Sequence, residues 1–114
     1  MDRTRALAAL AALANATRLD LVRLLVATGR EGLAASDIAG RLGLSASRLS
    51  FHLAALEQAG LVTSRRASRN IFYAADTRGL GGVIGYLLND CCDGHPEVCA
   101  CCASGARVTP AREP

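Results

Sequence analysis

The sequence predicts a mainly α domain with one small β-hairpin, in the order α-α-α-α-β-β-α. Three observations carry this. Apolar residues recur at three- and four-residue steps through most of residues 2–59. Residues 61–75 then concentrate β-branched and aromatic residues on either side of a short polar link. Glycine or a small polar residue stands where one pattern gives way to the next.

In order, residues 2–14 place Leu7, Leu10 and Leu13 on one side of an alanine-rich helix. Asn15 suits the N-cap of a second helix, 16–28, with Leu19, Val22, Leu25 and Val26 in helical spacing. Gly29 to Gly32 reads as a loop. Ser36 is expected to cap a short helix containing Ile38, Ala39 and Leu42, which Gly43 ends. Ser45 caps the next helix, which runs to about Ala59 and stops at Gly60. Residues 61–66 and 70–75 read as strands, linked by Ala67-Ser68-Arg69 into a hairpin. Asp76 or Thr77 caps a last helix reaching roughly residue 91. Gly81 and Gly85, four apart in that helix, predict a close approach by another helix, with the alanine-rich first helix as the natural partner. The expected organisation is a domain over 1–92 and a cysteine-containing segment with a loose tail over 93–114.

At 114 residues and 11.8 kDa the chain has the length of one domain. With 51% apolar and 20% charged residues, it has the material for a packed core. No apolar run approaches the ~20 residues of a membrane span. The charge is uneven: residues 1–40 sum to +1, 41–78 to +4 and 79–114 to −2. All thirteen basic residues are arginine. The basic middle suggests a polyanionic partner. The five cysteines all fall within residues 91–102. An odd, crowded set containing two adjacent pairs is a poor disulfide framework, so metal or metalloid ligation is the expected use and the cytoplasm the expected compartment. The alanine-rich start imitates a secretory signal only loosely, because it continues into another amphipathic pattern.

Helix, short turn with Gly43 and helix is the spacing of a helix-turn-helix, and a basic hairpin after it is the order of a winged helix. A helix fits the major groove of duplex DNA, and arginines neutralise phosphates. Around the helix that follows Ser45, Leu49, Leu53 and Leu56 fall within about 60° of one another and define a buried stripe. Ser47, Arg48, Ser50 and Phe51 lie on or towards the far side. Arg48 is the best candidate for reading a base, with a solvated surface charge as the alternative. Phe51 either packs against another element or touches a thymine methyl. His52, at the edge of the stripe, suits a structural or phosphate-contacting role. Arg65, Arg66 and Arg69 around the hairpin turn suit backbone or minor-groove contact, or else guard an exposed edge.

The strings Ala-Asn-Ala-Thr-Arg-Leu-Asp-Leu-Val-Arg-Leu-Leu (14–25), Ser-Asp-Ile-Ala-Gly-Arg-Leu-Gly-Leu (36–44) and Ser-Phe-His-Leu-Ala-Ala-Leu-Glu-Gln-Ala-Gly-Leu-Val (50–62) resemble the ArsR/SmtB family of metal- and metalloid-responsive repressors. The resemblance covers roughly residues 5–92. It implies a homodimeric winged helix, paired through its first and last helices. Such a dimer sits on an imperfect inverted repeat of operator DNA until an inducer binds. It implies no enzyme and no cofactor for DNA binding.

Two familiar inducer sites have no counterpart here: residues 36–42 hold no cysteine and residues 76–90 no histidine. The C-terminal cysteines resemble instead the arsenic-responsive branch, which carries a Cys-Cys pair at the end of the last helix and a third cysteine several residues on. Cys91, Cys92 and Cys99 match that pattern, with Cys101 and Cys102 as possible extra ligands. Soft thiolates select soft ions, and As(III) or Sb(III) is satisfied by three sulfurs in a pyramid. Gly94 and Pro96 favour a break in the helix that lets the three converge. The alternatives are zinc, cadmium or lead on four thiolates or with His95, and a switch by oxidation. There is no Cys-x-x-Cys beside a βαβ unit and no phosphate-cradling glycine loop, so a thiol-dependent enzyme is not expected.

Overall fold

The computed structural model describes residues 1–90, the side chains of Asn89 and Asp90 excepted. All five cysteines and the segment 93–114 therefore lie outside the described residues. Five helices and three strands follow in the order α1 (Arg3–Leu13), α2 (Ala16–Thr28), β1 (Leu33–Ala34), α3 (Ala35–Leu42), α4 (Ala46–Gln58), β2 (Val62–Ala67), β3 (Asn70–Ala75) and α5 (Thr77–Gly85). A π-helical turn over Tyr86–Asp90 continues α5.

Side-chain caps set the helix starts. Asp2 accepts a hydrogen bond from the Arg5 N–H at 2.8 Å, and Asn15 from the Arg18 N–H at 3.1 Å. Asp76 caps α5, accepting from the N–H groups of Arg78 and Gly79 at 3.1 and 3.2 Å. Ser36 is no cap. It sits inside α3, whose N-cap position is Ala34, without a side-chain hydrogen bond. The reason is β1, for which the sequence pattern gives no signal: Leu33 and Ala34 pair antiparallel with Tyr73 and Phe72. That pairing fixes the chain up to Ala34, so the helix starts directly behind it.

The sheet order is β1-β3-β2, and β2 pairs with β3 from Val62↔Ala75 to Ala67↔Asn70. Ser68 and Arg69 form the turn, with Ser68 at φ 60°.

The core joins Leu21, Val22 and Leu25 of α2, Ile38 of α3, Leu49, Leu53 and Leu56 of α4, and Leu61, Val62 and Val83. Helix α1 meets it with alanine. Ala6, Ala9 and Ala12 are buried, while Leu7 and Leu10 are 54% and 37% exposed. Alanine has nothing beyond Cβ, so α1 lies close on α2, α4 and α5; Leu7 and Leu10 are left on the outside, while Leu13 packs half-buried against the core. Leu19 and Val26 of α2 are likewise exposed.

At the last helix the glycines with close neighbours are Gly79 and Gly82, and what they meet is not another helix. A Cβ on Gly79 would collide with the Gly60 carbonyl oxygen just after α4, and one on Gly82 would press the Met1 side chain, whereas a Cβ on Gly81 would meet nothing within 4 Å among the described residues. Among the described residues, no helix is long and apolar enough to cross a membrane.

Candidate nucleic-acid interface

The turn between α3 and α4 forms because Gly43 takes the left-handed conformation (φ 66°) and the Leu44 N–H reaches back to the Ala39 carbonyl at 3.1 Å. Ser45 then caps α4, accepting from the Arg48 N–H at 3.2 Å. The N-terminus of α4 is exposed at Ser45, Ala46 and Ser47 and carries the positive end of the helix dipole, a place suited to a phosphate.

Beyond the cap, α4 has two faces. Leu49, Leu53 and Leu56 are at most 2% exposed and anchor it. Ser47, Arg48, Ser50, Phe51 and Ala54 face outward. Phe51 is 65% exposed, so its ring is not packed into the fold. It meets the His52 ring edge-on, with 5.4 Å between centroids, and the Arg18 guanidinium lies 5.6 Å from its centre.

His52 does not share this exposure. It is buried at 8%, and its Nδ1 accepts a hydrogen bond from Arg18 Nε at 3.1 Å. Burial first, then the positive charges of Arg18 and Arg48, hold its pKa below the ordinary 6.5. A neutral imidazole with an accepting Nδ1 carries its proton on Nε2. Arg18 is the participant that sequence reasoning missed. It lies 34 positions from His52 on another helix, and no local pattern marks it.

The three wing arginines are not equivalent. Neighbouring strand residues point to opposite faces, so Arg65 and Arg66 diverge. Arg65 stands opposite Phe72, stacks its guanidinium 4.7 Å from that ring's centre, and donates Nη2 to the Glu31 carbonyl at 3.2 Å. Arg66 shares the face of Ser64, whose hydroxyl donates to Glu57 Oε2 of α4 at 2.8 Å. Arg66 thus stands on the sheet face turned to α4. Arg69 is exposed in the turn. The exposed candidates are therefore the α4 N-terminus with its outward face and, on the hairpin, Arg66 and Arg69, while Arg65 is engaged with Phe72 and the Glu31 carbonyl.

A helix-turn-helix domain family matches residues 13–65, from the end of α1 into β2. The fold superposes on an ArsR-like transcriptional regulator from Rhodococcus sp. RHA1 with a TM-score of 0.70 at 30% identity, covering 85% of this chain and 89% of that one. The chain belongs to the ArsR family.

The ArsR-family chain has further relatives. It is 36% identical over 78 residues to the nodulation protein NolR of Rhizobium meliloti, covering 68% of its own length and 62% of NolR. It is 34% identical over 83 residues to the transcriptional activator HlyU of Vibrio cholerae, covering 73% and 74%. A homodimeric winged helix-turn-helix DNA-binding domain from Mycobacterium bovis matches with a TM-score of 0.61 at 30% identity, over 82% of this chain and 83% of that one. A possible transcriptional regulator for arsenical resistance matches with a TM-score of 0.59 at 31% identity, over 86% and 93%. The ArsR-family chain is thus a transcriptional regulator with a DNA-binding winged helix-turn-helix, and not an enzyme. Among its described residues, no group of three or more His, Cys, Asp or Glu is placed to hold a metal ion.

Proposed function

We propose that the protein is a homodimeric repressor that grips an imperfect inverted repeat of operator DNA and releases it when As(III) or Sb(III) binds Cys91, Cys92 and Cys99. The observation that carries the inducer is the position of these thiols: they begin one residue after the π-helical turn that continues α5. Three thiolates suit a trivalent, soft, pyramidal ion. The similarity to a possible regulator for arsenical resistance supports the same choice. In the cytoplasm, where we place the protein, the thiols stay reduced. Cys101 and Cys102 are reserve sulfurs.

DNA reading falls to Ser45, Ser47, Arg48, Ser50 and Phe51 on α4, with Arg66 and Arg69 on the wing. His52 supports α4 from below rather than meeting DNA. The dimer forms through α1 and α5, which touch each other; Leu7 and Leu10 of α1, Ile84 of α5 and Leu87 of the π-helical turn are exposed. Two recognition helices then enter successive major grooves about one helical turn apart.

The first turn of α5 rests on the end of α4. The Asp76 N–H donates to the Leu61 carbonyl at 2.9 Å, and Gly79 abuts the Gly60 carbonyl. A shift of α5 caused by thiol capture is thereby passed to the recognition helix. Weakening DNA binding about 100-fold needs roughly 2.7 kcal/mol of coupling, within the usual allosteric range.

The test is a fluorescence anisotropy titration on operator duplex with single serine substitutions at Cys91, Cys92 and Cys99. Each variant binds DNA like wild type and no longer responds to arsenite or antimonite. Normal release by all three variants overturns the site. Release of the wild type by zinc, cadmium, lead or peroxide, and not by arsenite, replaces the inducer.

A further inference from the structure

Phe51 is the largest apolar side chain on the outward face of α4, and among the described residues it stays 65% exposed. Of its exposed neighbours on that face, Ser47, Ser50 and Ala54 are short, so on their side the ring stands above a low rim, while Arg48 one turn back is the long, charged neighbour. It is also held. The Arg18 guanidinium lies 5.6 Å from the ring centre, the His52 ring meets it edge-on, and Arg18 and His52 are hydrogen-bonded to each other.

A phenyl ring neither donates nor accepts an ordinary hydrogen bond, so it cannot read the polar pattern of a base edge. The apolar feature that a base offers in the major groove is the C5-methyl group of thymine. A ring fixed before binding also loses little rotamer freedom on contact.

Resting on the DNA-reading function above, we propose that Phe51 is a specificity-determining residue that packs on a thymine C5-methyl group in each half-site, and that Arg18 is the positioning residue that holds its ring. Ser47 and Ser50 flank this contact with hydroxyls able to bond to phosphate or base. The half-site therefore has one position at which thymine is chosen for its methyl group and not for its hydrogen-bonding edge.

The test uses the full-length chain and duplexes that wild type enriches from a random library. Each thymine is replaced in turn by uracil, which removes the methyl group and keeps the hydrogen-bonding edge. Affinities are measured for wild type, Phe51→Ala and Arg18→Gln, with circular dichroism to verify the fold of each variant. At one thymine per half-site, uracil weakens wild-type binding about fourfold, the ratio that corresponds to burial of one methyl-sized group. Phe51→Ala binds the thymine duplex more weakly and no longer separates thymine from uracil. Arg18→Gln keeps a donor for His52 but not the cation beside the ring, and its thymine-to-uracil ratio shrinks. Wild-type indifference to uracil at every position, or an unchanged ratio in Phe51→Ala, overturns the role of Phe51. An unchanged ratio in Arg18→Gln overturns the positioning role. If wild type enriches no sequence at all, the DNA-reading function itself fails, a result distinct from these.

Discussion

Arg18 of α2 donates its Nε–H to Nδ1 of His52 at 3.1 Å and so ties the second helix to the recognition helix from within the fold. The bond requires a neutral imidazole, and the lowered pKa of His52 agrees with that requirement. Of the two roles the sequence leaves open for His52, structural or phosphate-contacting, its burial and its bond to Arg18 favour the structural one.

Burial of His52, and then the charges of Arg18 and Arg48, set a pH dependence. The folded-state pKa lies below the ordinary 6.5, so as pH falls the unfolded chain takes up the proton first. The stabilisation is complete above the unfolded pKa and is lost as pH falls through the lowered folded one. Urea denaturation between pH 8 and pH 5 should show declining stability over that window. His52→Ala should be about 2 kcal/mol less stable at neutral pH, from the lost bond and the cavity, and should show a flatter profile. A profile as steep as that of wild type would remove His52 as its source.

Two glycines should respond to alanine with opposite sign. Gly79→Ala drives a methyl group into the Gly60 carbonyl and should cost about 1–3 kcal/mol. Gly40, inside α3 with open space where a Cβ would stand, should gain up to ~1 kcal/mol. Thermal melts of the two variants check the pair together.

The wing arginines should separate by assay. Arg66→Ala and Arg69→Ala should each weaken DNA binding evenly across sequences and lower the salt slope by about 1. Arg65→Ala removes a stacking partner of Phe72 and a bond to the Glu31 carbonyl. It should therefore loosen the wing, with faster amide exchange in β2 and β3, and change the salt slope least. Equal salt slopes for all three variants would contradict this division.

Leu7→Glu combined with Leu10→Glu places charge on the exposed side of α1 without touching the buried alanines. Sedimentation should show a monomer with an intact circular dichroism spectrum, and operator affinity should fall at least tenfold as the two-site grip is lost. A dimer that survives both charges would place the interface elsewhere.

Much of the architecture was legible because it depends on near neighbours. The caps at Asn15, Ser45 and Asp76 are bonds to an N–H two or three residues on, and the Leu49, Leu53 and Leu56 stripe is helical periodicity. The hairpin is legible for the same reason, its two strands being separated by a turn of two residues.

Which surfaces meet follows from packing rather than from local pattern. Two residues are too short to show a strand's alternation, so β1 exists only as pairing with Tyr73 and Phe72. The spacing of Leu7, Leu10 and Leu13 marks a helix face, but the close contact to α2 and α5 prefers alanine. Arg65 and Arg66 are chemically alike, and the pleat alone sends one to Phe72 and the other to the side of α4. Local conformation is readable from the chain alone, because caps, turns and periods act within about four residues. Burial, long-range bonds and the choice of which arginine stays free belong to contacts between segments tens of residues apart, and those are fixed only when the chain packs.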